Sequence, residues 1–244
     1  MKTIALVMML GLLGVHSRAD SSKPKYGPEA KRLVLDHSYL KMREAPDYWA
    51  LSSYYLPQQD GRSCSVASFA MVINALKAHD DLGADDMLVT QKDFMKRLAD
   101  EPAIKRFFSD KGRSISLDEF AGVAKKALEV YGIKNYQVEV LHVDKLDLAT
   151  ETRLKDMLSK NEKSPRDVIL ANFLQSELTG DPEGKVGHVA PVAAYDGKLD
   201  RVLIMDPDRE YYEPYWVSVK TFMKGLNTLD QDAGKNRGIL WIHP

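Results

Sequence analysis

The strongest structural signal in this chain is the segment Gln58-Gln59-Asp60-Gly61-Arg62-Ser63-Cys64-Ser65-Val66-Ala67-Ser68. Its first half contains Asp60-Gly61, a pair typical of a turn, and its second half begins an apolar pattern with helical spacing. The pattern predicts a helix from Cys64 to about Ala78, with Ser63 as its N-cap. The buried stripe of this helix is expected to consist of Val66, Phe69, Ala70 and Ile73.

Cys64 is the only cysteine among the 244 residues, so the chain forms no internal disulfide. A lone cysteine is either a small buried hydrophobe or a reactive thiol, and position alone leaves both interpretations open. The predicted helix start favours a reactive thiol, because its unpaired N–H groups and partial positive charge stabilise a thiolate and receive an oxyanion. Gln58, in the preceding loop, is a candidate for the second oxyanion donor.

The secondary-structure signals change along the chain from helical to extended. Helical spacing predicts further helices over Glu29–Lys41, Gln91–Leu98, Leu117–Tyr131 and Glu151–Lys160. Extended patterns predict strands over Val168–Phe173, Val189–Tyr195, Val202–Met205 and Gly238–Ile242. This order predicts an α+β fold with a helical N-terminal lobe and an antiparallel β C-terminal lobe, and a cleft between the lobes is a natural place for a site.

A predicted hairpin sets His188 against Asp206, because the two residues lie nine positions on either side of Gly197 in its turn. An aspartate in this position fixes the tautomer of a histidine and stabilises the imidazolium. Together with Cys64 the pair forms the set that a thiol acyl-transfer enzyme needs. The alternatives are a structural histidine and an ordinary turn at Asp206-Pro207, and Pro191 could introduce a bulge that shifts the register.

Several spaced blocks resemble the catalytic domain of phytochelatin synthases. The block from Gln58 to Leu76 resembles their nucleophile region, and Gly187-His188 with Pro191 resembles their histidine region. The similarity spans about Tyr54 to the C-terminus and also includes the blocks Asp206 to Val217 and Thr228 to Gly238. The resemblance implies a papain-like cysteine proteinase fold.

The same resemblance implies a reaction on glutathione. The enzymes of this family expel glycine, hold γ-Glu-Cys as a thioester and transfer it to water or to another glutathione, which yields phytochelatin for metal detoxification. Carried over, Cys64 is the nucleophile, His188 the general base and acid, Asp206 the orienting group and Gln58 the oxyanion donor. We predict no metal site and no cofactor, since the remaining histidines have no ligand spacing. Soft ions such as cadmium or zinc would enter as glutathione thiolates.

Three further residues are candidates for binding the γ-glutamyl group, which carries a free carboxylate and a free ammonium. Arg237 suits the carboxylate through a bidentate fork, and Asp230 suits the ammonium. Arg209 follows Asp206 by three residues and would support the same pocket. The alternative for each is a surface ion pair.

The chain departs from the usual family pattern at several small residues. Ser65 stands where a glycine usually follows the nucleophile, Ala190 replaces a serine, and Ala193-Ala194 replaces paired glycines. We expect these side chains to narrow the site or to alter the acceptor pocket. An aromatic cluster either lines a ligand cleft or packs in the core, and it comprises Tyr211, Tyr212, Tyr215 and Trp216.

Residues 1–19 have the features of a signal peptide. Lys2 precedes an apolar run from Ile4 to Val15, and the small residues Ser17 and Ala19 predict cleavage after Ala19. The run is about half of the ~20 residues that span a bilayer, which disfavours a membrane anchor. We therefore expect a catalytic domain over 20–244 that is exported to the periplasm or secreted.

Charge excludes several classes of partner. Without the leader the chain has 32 basic and 35 acidic residues, a net charge of −3. This balance gives no electrostatic footprint for nucleic acid or for an anionic membrane. The expected partner is glutathione or a related γ-glutamyl peptide, and a homodimer stays open. Two alternative functions also stay open, a peptidase for another exported peptide and a non-catalytic thiol-binding or metal-binding protein.

Overall fold

A computed structural model describes residues 24–107 and 115–244. The predicted leader and the first residues of the predicted mature domain, 20–23, lie outside the described residues. The helices are α1 (Ser38–Met42), α2 (Pro46–Ser52), α3 (Cys64–Lys77), α4 (Gln91–Arg97), α5 (Pro102–Phe107), α6 (Leu117–Val130), α7 (Leu148–Asn161), α8 (Gln175–Thr179) and α9 (Val219–Leu226). The strands are β1 (Ala30–Arg32), β2 (Gln137–His142), β3 (Val168–Leu174), β4 (Gly187–Asp196), β5 (Arg201–Ile204), β6 (Tyr215–Ser218), β7 (Leu229–Asp230), β8 (Lys235–Asn236) and β9 (Gly238–His243).

Most strands join one antiparallel sheet in the order β1-β6-β5-β4-β3-β9-β2. Strands β7 and β8 form a separate short hairpin beside it. Strand β3 pairs with both β4 and β9 near the centre of the sheet, and every residue from Val168 to Phe173 is buried. The sheet therefore has covered faces on both sides at its centre.

Two hydrophobic cores cover these two faces. Leu170 of β3 belongs to the core that contains α3, α4, α5 and α6. Its neighbour Ile169 belongs to the other core, which contains residues of α7, α8 and α9. This alternation follows from the period of two in a strand. The predicted α+β fold is confirmed, with the early helices on one face of an antiparallel sheet built largely from the later chain.

Helix α3 confirms the helix predicted from Cys64, but it is more deeply buried than predicted. Every residue from Ser65 to Leu76 is buried, not only the predicted stripe. The reason is that α3 packs against α2, α4, α6 and strand β4 at once. The Ser68 hydroxyl donates to the carbonyl oxygen of Val189 in β4 at 3.1 Å, which ties the helix to the strand that carries His188.

The predicted helix over Glu29–Lys41 is wrong. Ala30–Arg32 forms β1, a 3₁₀ turn follows at Leu33–Leu35, and helix α1 begins only at Ser38. Strand β1 pairs with β6, a partner almost 200 residues away that local spacing cannot show. Val34 is 51% exposed, whereas a helical stripe would bury it.

The other predicted helices and strands are confirmed, with small differences at their ends. Helix α7 begins at Leu148, earlier than predicted, because the Asp147 side chain accepts a hydrogen bond from the N–H of Thr150 and caps it. Strands β2 and β6 were not predicted. None of the helices in the described ranges has the length and apolar content that a membrane crossing requires.

Candidate active site

Cys64 is the first residue of α3 and is partly exposed. The loop before it is folded on itself: the Ser63 hydroxyl accepts hydrogen bonds from the N–H groups of Gln59 and Asp60, both at 2.9 Å. Ser63 therefore stands at the N-cap position but does not cap the helix, which corrects the prediction. The N–H groups of the first turn donate no hydrogen bond to this side chain and stay oriented toward the start of the helix.

His188 and Asp206 form a buried hydrogen-bonded pair. The Nε2 atom of His188 lies 2.7 Å from Oδ1 of Asp206, and the two side chains are 5% and 0% exposed. This contact leaves Nδ1 of the ring without a bond to Asp206, and Cys64 lies close enough to raise the pKa of His188. The structure thus brings together the three residues that the sequence predicted as a set.

The hairpin that carries this pair has a different register from the predicted one. Val192 faces Ile204 and Asp196 faces Arg201, with an irregularity between Val192 and Ala194, close to Pro191. Continuing the register of Val192 would set His188 opposite Asp208, so Asp206 is its diagonal neighbour on the same face. Diagonal neighbours are still within reach of long side chains, which explains why the pair forms despite the shift.

The electrostatics of the pair follow from its burial and its charges. Burial lowers the pKa of His188, but the charge of Asp206 and the thiol of Cys64 outweigh burial and raise it well above the ordinary value of 6.5. Burial raises the pKa of Asp206, but the charge of His188 and several hydrogen bonds outweigh burial and lower it below 3.8. The pair therefore favours an imidazolium beside a carboxylate.

The sequence did not predict the two side chains that hold Asp206, Gln175 and Tyr215, although Tyr215 belongs to the aromatic cluster named above. The Nε2 group of Gln175, at the start of α8, donates to Oδ2 of Asp206 at 2.8 Å, and the Tyr215 hydroxyl donates to the same oxygen at 3.3 Å. The N–H of Asp208 donates to Oδ1 at 2.9 Å. Gln175 offered no signal in the sequence, because its contact with Asp206 depends on how α8 packs beside the sheet.

A cavity of about 160 Å³ is lined by both Cys64 and His188. Asp230 and Arg237 line the same cavity, as the sequence predicted for binding residues. Nη1 of Arg237 donates to the carbonyl oxygen of Leu229 at 2.7 Å and to the Thr228 hydroxyl at 3.2 Å. Burial lowers the pKa of Arg237, and the charges of Asp230 and Asp232 oppose this effect.

Gly187 and Asn172 complete the cavity. A side chain at Gly187 would place its Cβ 2.8 Å from Nη2 of Arg237, so the glycine gives the guanidinium its space. Asn172 of β3 is 5% exposed, and its Oδ1 atom has no hydrogen-bond partner within the described part of the chain. Asn172 was missed because a single asparagine within a strand has no distinguishing sequence pattern.

The structure does not bring Gln58 and Arg209 into this cavity. The N–H of Gln58 donates to the carbonyl oxygen of Pro207 at 2.8 Å, which fixes the loop beside the Asp206 segment. The guanidinium of Arg209 lies 4.6 Å from the ring centroid of Tyr55, whose hydroxyl donates to the carbonyl oxygen of Asp206. Arg209 thus packs on Tyr55, which in turn contacts the Asp206 backbone, and it does not line the cavity. The oxyanion role of Gln58 stays a prediction.

The departures from the family pattern fall into two groups. Ser65 is buried and lines the cavity directly beside Cys64. Ala190, Ala193 and Ala194 are fully buried in the two cores and do not line this cavity. Only Ser65 can therefore change the space around the thiol directly. Within residues 24–107 and 115–244, no group of three or more His, Cys, Asp or Glu side chains is arranged to hold a metal ion.

A thiol at a helix start that shares a cavity with the histidine of a buried His–Asp pair is the arrangement that thiol acyl-transfer enzymes need. The chain belongs to the phytochelatin synthase family, since the family model described as "Phytochelatin synthase" matches residues 25–239. This match includes every site residue described above.

Curated relatives agree with this family. Glutathione gamma-glutamylcysteinyltransferase 1 of Lotus japonicus is 26% identical over 238 residues, covering 96% of this chain and 43% of the relative. Glutathione gamma-glutamylcysteinyltransferase of Schizosaccharomyces pombe is 24% identical over 200 residues, covering 81% of this chain and 44% of the relative. The chain therefore spans less than half the length of these relatives.

A shorter match has higher identity. Glutathione gamma-glutamylcysteinyltransferase 1 of Arabidopsis thaliana is 38% identical over 56 residues, which is 23% of this chain and 12% of the relative. Among solved structures, the crystal structure of the Pseudomonas avirulence protein AvrPphB matches with a TM-score of 0.37 and 10% identity, covering 79% of this chain and 97% of that chain.

Proposed function

We propose that this chain cleaves glycine from glutathione through a γ-Glu-Cys thioester on Cys64, and that it transfers γ-Glu-Cys to water or to a second glutathione. The observation that carries this proposal is that four residues line the same cavity: Cys64, His188, Asp230 and Arg237. The family and the names of the curated relatives support the reaction. A nucleophile, a base and two opposite charges in one cavity match the groups of a γ-glutamyl donor.

The γ-glutamyl group of the donor would occupy the end of the cavity formed by Arg237 and Asp230. Its α-carboxylate would accept hydrogen bonds from the guanidinium, whose Nε atom has no partner in the described part of the chain. Its ammonium would contact Asp230 and the free Oδ1 of Asn172. Charge-assisted hydrogen bonds of this kind are shorter and stronger than neutral ones and fix the orientation of the donor.

Acylation would then proceed at the Cys–Gly peptide bond. Sγ of Cys64 attacks the carbonyl carbon while His188 holds the thiol proton as imidazolium. The C–N bond breaks, His188 gives that proton to the leaving glycine amine, and the thioester remains. The N–H groups at the start of α3 and the side chain of Gln58 are the proposed oxyanion donors.

Deacylation reverses the direction of proton transfer. Water or an amine attacks the thioester carbonyl carbon, and His188 accepts a proton from the attacking group. The C–S bond breaks, and Cys64 returns to its starting state. Asp206 holds the ring orientation throughout, because Nε2 stays bonded to its carboxylate.

We further propose that the protein acts outside the cytoplasm in metal detoxification, in line with the signal peptide that the sequence predicts. Glutathione thiolates bind soft ions such as cadmium or zinc, so the metal would be part of the substrate. Fractionation of cells that express the full chain tests the location, and a product assay with and without cadmium tests the metal dependence.

The direct test is incubation of the protein with glutathione, followed by mass spectrometry for glycine, γ-Glu-Cys and phytochelatin. Cys64→Ala should abolish all three products. Full product formation by this variant would contradict the proposed mechanism. Acylation of Cys64 by another exported peptide, with none by glutathione, would favour the peptidase alternative, and stoichiometric binding without turnover would favour the thiol-binding alternative.

A further inference from the structure

The hairpin of β7 and β8 carries both residues that the proposed function assigns to the γ-glutamyl group. Asp230 ends β7, Arg237 directly follows β8, and both line the cavity of Cys64. The hairpin is separate from the main sheet, so the position of these two residues depends on what holds the hairpin to its neighbours. A backbone hydrogen bond contributes, because the N–H of Val143 donates to the carbonyl oxygen of Arg237 at 3.0 Å.

His142, the last residue of β2, contacts this hairpin and helix α6 at the same time. Its Nδ1 atom lies 2.6 Å from the carbonyl oxygen of Asn236 in β8, and its Nε2 atom lies 3.0 Å from Oδ1 of Asp118 in α6. A carbonyl oxygen and an ionised carboxylate can only accept hydrogen bonds. A neutral imidazole has a single N–H group, whereas an imidazolium has two. Both hydrogen bonds therefore form together only when His142 is protonated.

Charged groups face the ring of His142 from the elements packed against it. Oδ2 of Asp118 accepts a hydrogen bond from Nζ of Lys235 in β8 at 2.6 Å, so this carboxylate also connects α6 to the hairpin. Hydrogen bonds from His142 and Lys235 lower the pKa of Asp118 below its ordinary value, and Asp144 adds a negative charge near Lys235. The residue opposite His142 in β9 is Gly238, which brings no charge. The ring thus lies against a carboxylate that is ionised over the whole range in which histidines titrate.

Loss of one proton from His142 changes these contacts. One ring nitrogen then points a lone pair at an acceptor, either the carbonyl oxygen of Asn236 or the carboxylate of Asp118, and an attraction becomes a repulsion. The side chain of His142 is 20% exposed, so it exchanges protons with solvent. The attachment of the hairpin to β2 and α6 is therefore stronger when the ring is charged.

We propose that His142 is a positioning residue whose protonated ring holds Asp230 and Arg237 in the geometry that binds the γ-glutamyl group. This inference rests on the proposed function. His142 does not line the cavity, so it acts on binding of the donor and not on the breaking of its peptide bond. The affinity for the donor should therefore fall as the pH rises from about 5 to about 8, the range in which histidines change charge.

The test compares His142→Gln with the parent protein from about pH 5 to about pH 8. The measured quantity is KM for glutathione in the variant divided by KM in the parent. Other titrating groups, including those of glutathione, Cys64 and His188, are the same in both proteins and cancel in this ratio. We expect a ratio of about ten at the acidic end, the usual effect of losing one hydrogen bond between charged groups. At the alkaline end the parent has lost the same proton, and the ratio should approach one.

Two further variants accompany this comparison. His37→Gln is the matched control, because His37 is exposed before α1 and does not line the cavity. It should have the parent KM at every pH. Asp118→Asn covers the case in which His142→Gln fails to fold, since the side chain of Asp118 is 49% exposed. Its KM ratio should also fall as the pH rises, and ratios that stay constant with pH in His142→Gln and Asp118→Asn would overturn the inference.

NMR of the ring nitrogens gives a readout that needs no turnover. In the parent protein without substrate, both ring nitrogens of His142 should carry protons at about pH 5. The backbone amide signals of Asp230 and Arg237 should shift along the same titration curve, and this shift should be absent in His142→Gln. A ring with one N–H group at that pH, or amide signals that do not follow the ring, would contradict the inference.

Failure of the two proposals can be told apart. A parent protein that releases no glycine from glutathione contradicts the proposed function, whatever the protonation of His142. Release of glycine with a KM ratio that does not change with pH overturns only the positioning role of His142.

Discussion

Asp206 accepts hydrogen bonds from residues on three separate elements: His188 in β4, Gln175 in α8 and Tyr215 in β6. These contacts together restrict rotation of the carboxylate. Because the carboxylate is fixed, its hydrogen bond to His188 holds the imidazole in one orientation. The pKa of Asp206 is lowered by the charge of His188 in spite of its burial. The carboxylate is therefore ionised at any pH at which His188 acts as an acid or a base.

Asp206→Asn should keep the shape of this contact but remove its charge. We expect the rate of glycine release to fall about 100-fold or more, the usual contribution of a positioned acid–base group. The measurement is the initial rate of glycine release. Asp85→Asn, a change at an exposed aspartate outside the site, is the control. A loss of less than tenfold would mean that His188 does not depend on this carboxylate.

Arg237→Lys should weaken binding of the donor rather than its chemistry. A lysine cannot offer the bidentate fork that a carboxylate accepts, so we expect KM for glutathione to rise about tenfold with a smaller change in kcat. Arg209→Lys is the matched comparison, because Arg209 stacks on Tyr55 and does not line the cavity. Equal increases in KM for both variants would contradict the assignment of Arg237.

The sequence predicted the residues of the proposed catalytic set better than the residues that hold this set in place. Cys64, His188 and Asp206 could be proposed as a set because a helix start and a hairpin are local patterns, although the hairpin register that the sequence predicted was wrong. Gln175 and Asn172 could not, because an amide acquires its role only through partners, or missing partners, that the tertiary fold sets. Arg209 was placed too close to the substrate, since adjacency in sequence to Asp206 does not fix the direction of a side chain.

At the scale of the elements, local patterns predicted those with strong periodicity. Helix α3 and strand β3 follow from their apolar spacing alone. Strand β1 was predicted as a helix, because its pairing with β6 lies across nearly the whole chain. The irregularity near Pro191 changed the register of β4 and β5, and the sequence indicated its place but not its size.

The packing of α8 against α9 supports the site, because α8 begins with Gln175. Gly225 of α9 lies where an added Cβ would overlap Cδ1 of Leu178 in α8. Gly225→Ala should therefore lower the free energy of unfolding by about 1–3 kcal/mol, the usual cost of overpacking. Gly122→Ala in α6, where nothing lies within 4 Å of the new Cβ, should raise it by up to about 1 kcal/mol through helix propensity.

Urea unfolding of both glycine variants measures these effects. The two substitutions make the same chemical change in a helix and differ in the space around it. Shifts of the same sign and size would show that α8 and α9 are not in close contact at Gly225.

At the scale of the whole molecule, a group of acids connects the helices on the two faces of the sheet. Burial raises the pKa of Glu162 to about 7 and that of Asp167 to about 6, and it raises the pKa of Asp47 well above its ordinary value. Glu162, at the end of α7, accepts hydrogen bonds from the Tyr39 hydroxyl at 3.0 Å and from the N–H of Tyr195 at 2.5 Å. The Asn161 side chain donates to Asp47 of α2.

These acids should make the folded protein less stable as the pH rises through the range from about 4.5 to about 7. The folded state binds more protons than the unfolded state in that range, because the pKa of Glu162 is raised in the folded state, and stability then falls with pH. Glu162→Gln removes this titration, so its stability relative to the parent should increase between pH 5 and about 7. Urea unfolding at several pH values measures the difference, and a difference that stays constant would contradict the raised pKa.

The central claim is that Cys64 carries γ-Glu-Cys as a thioester during turnover. The most direct measurement is mass spectrometry of the protein quenched in acid within the first turnover after mixing with glutathione, with mapping of the peptide that contains Cys64. We predict γ-Glu-Cys on Cys64, together with one glycine released per protein molecule, and no adduct in Cys64→Ala. Continued release of glycine while Cys64 stays unmodified would contradict the account.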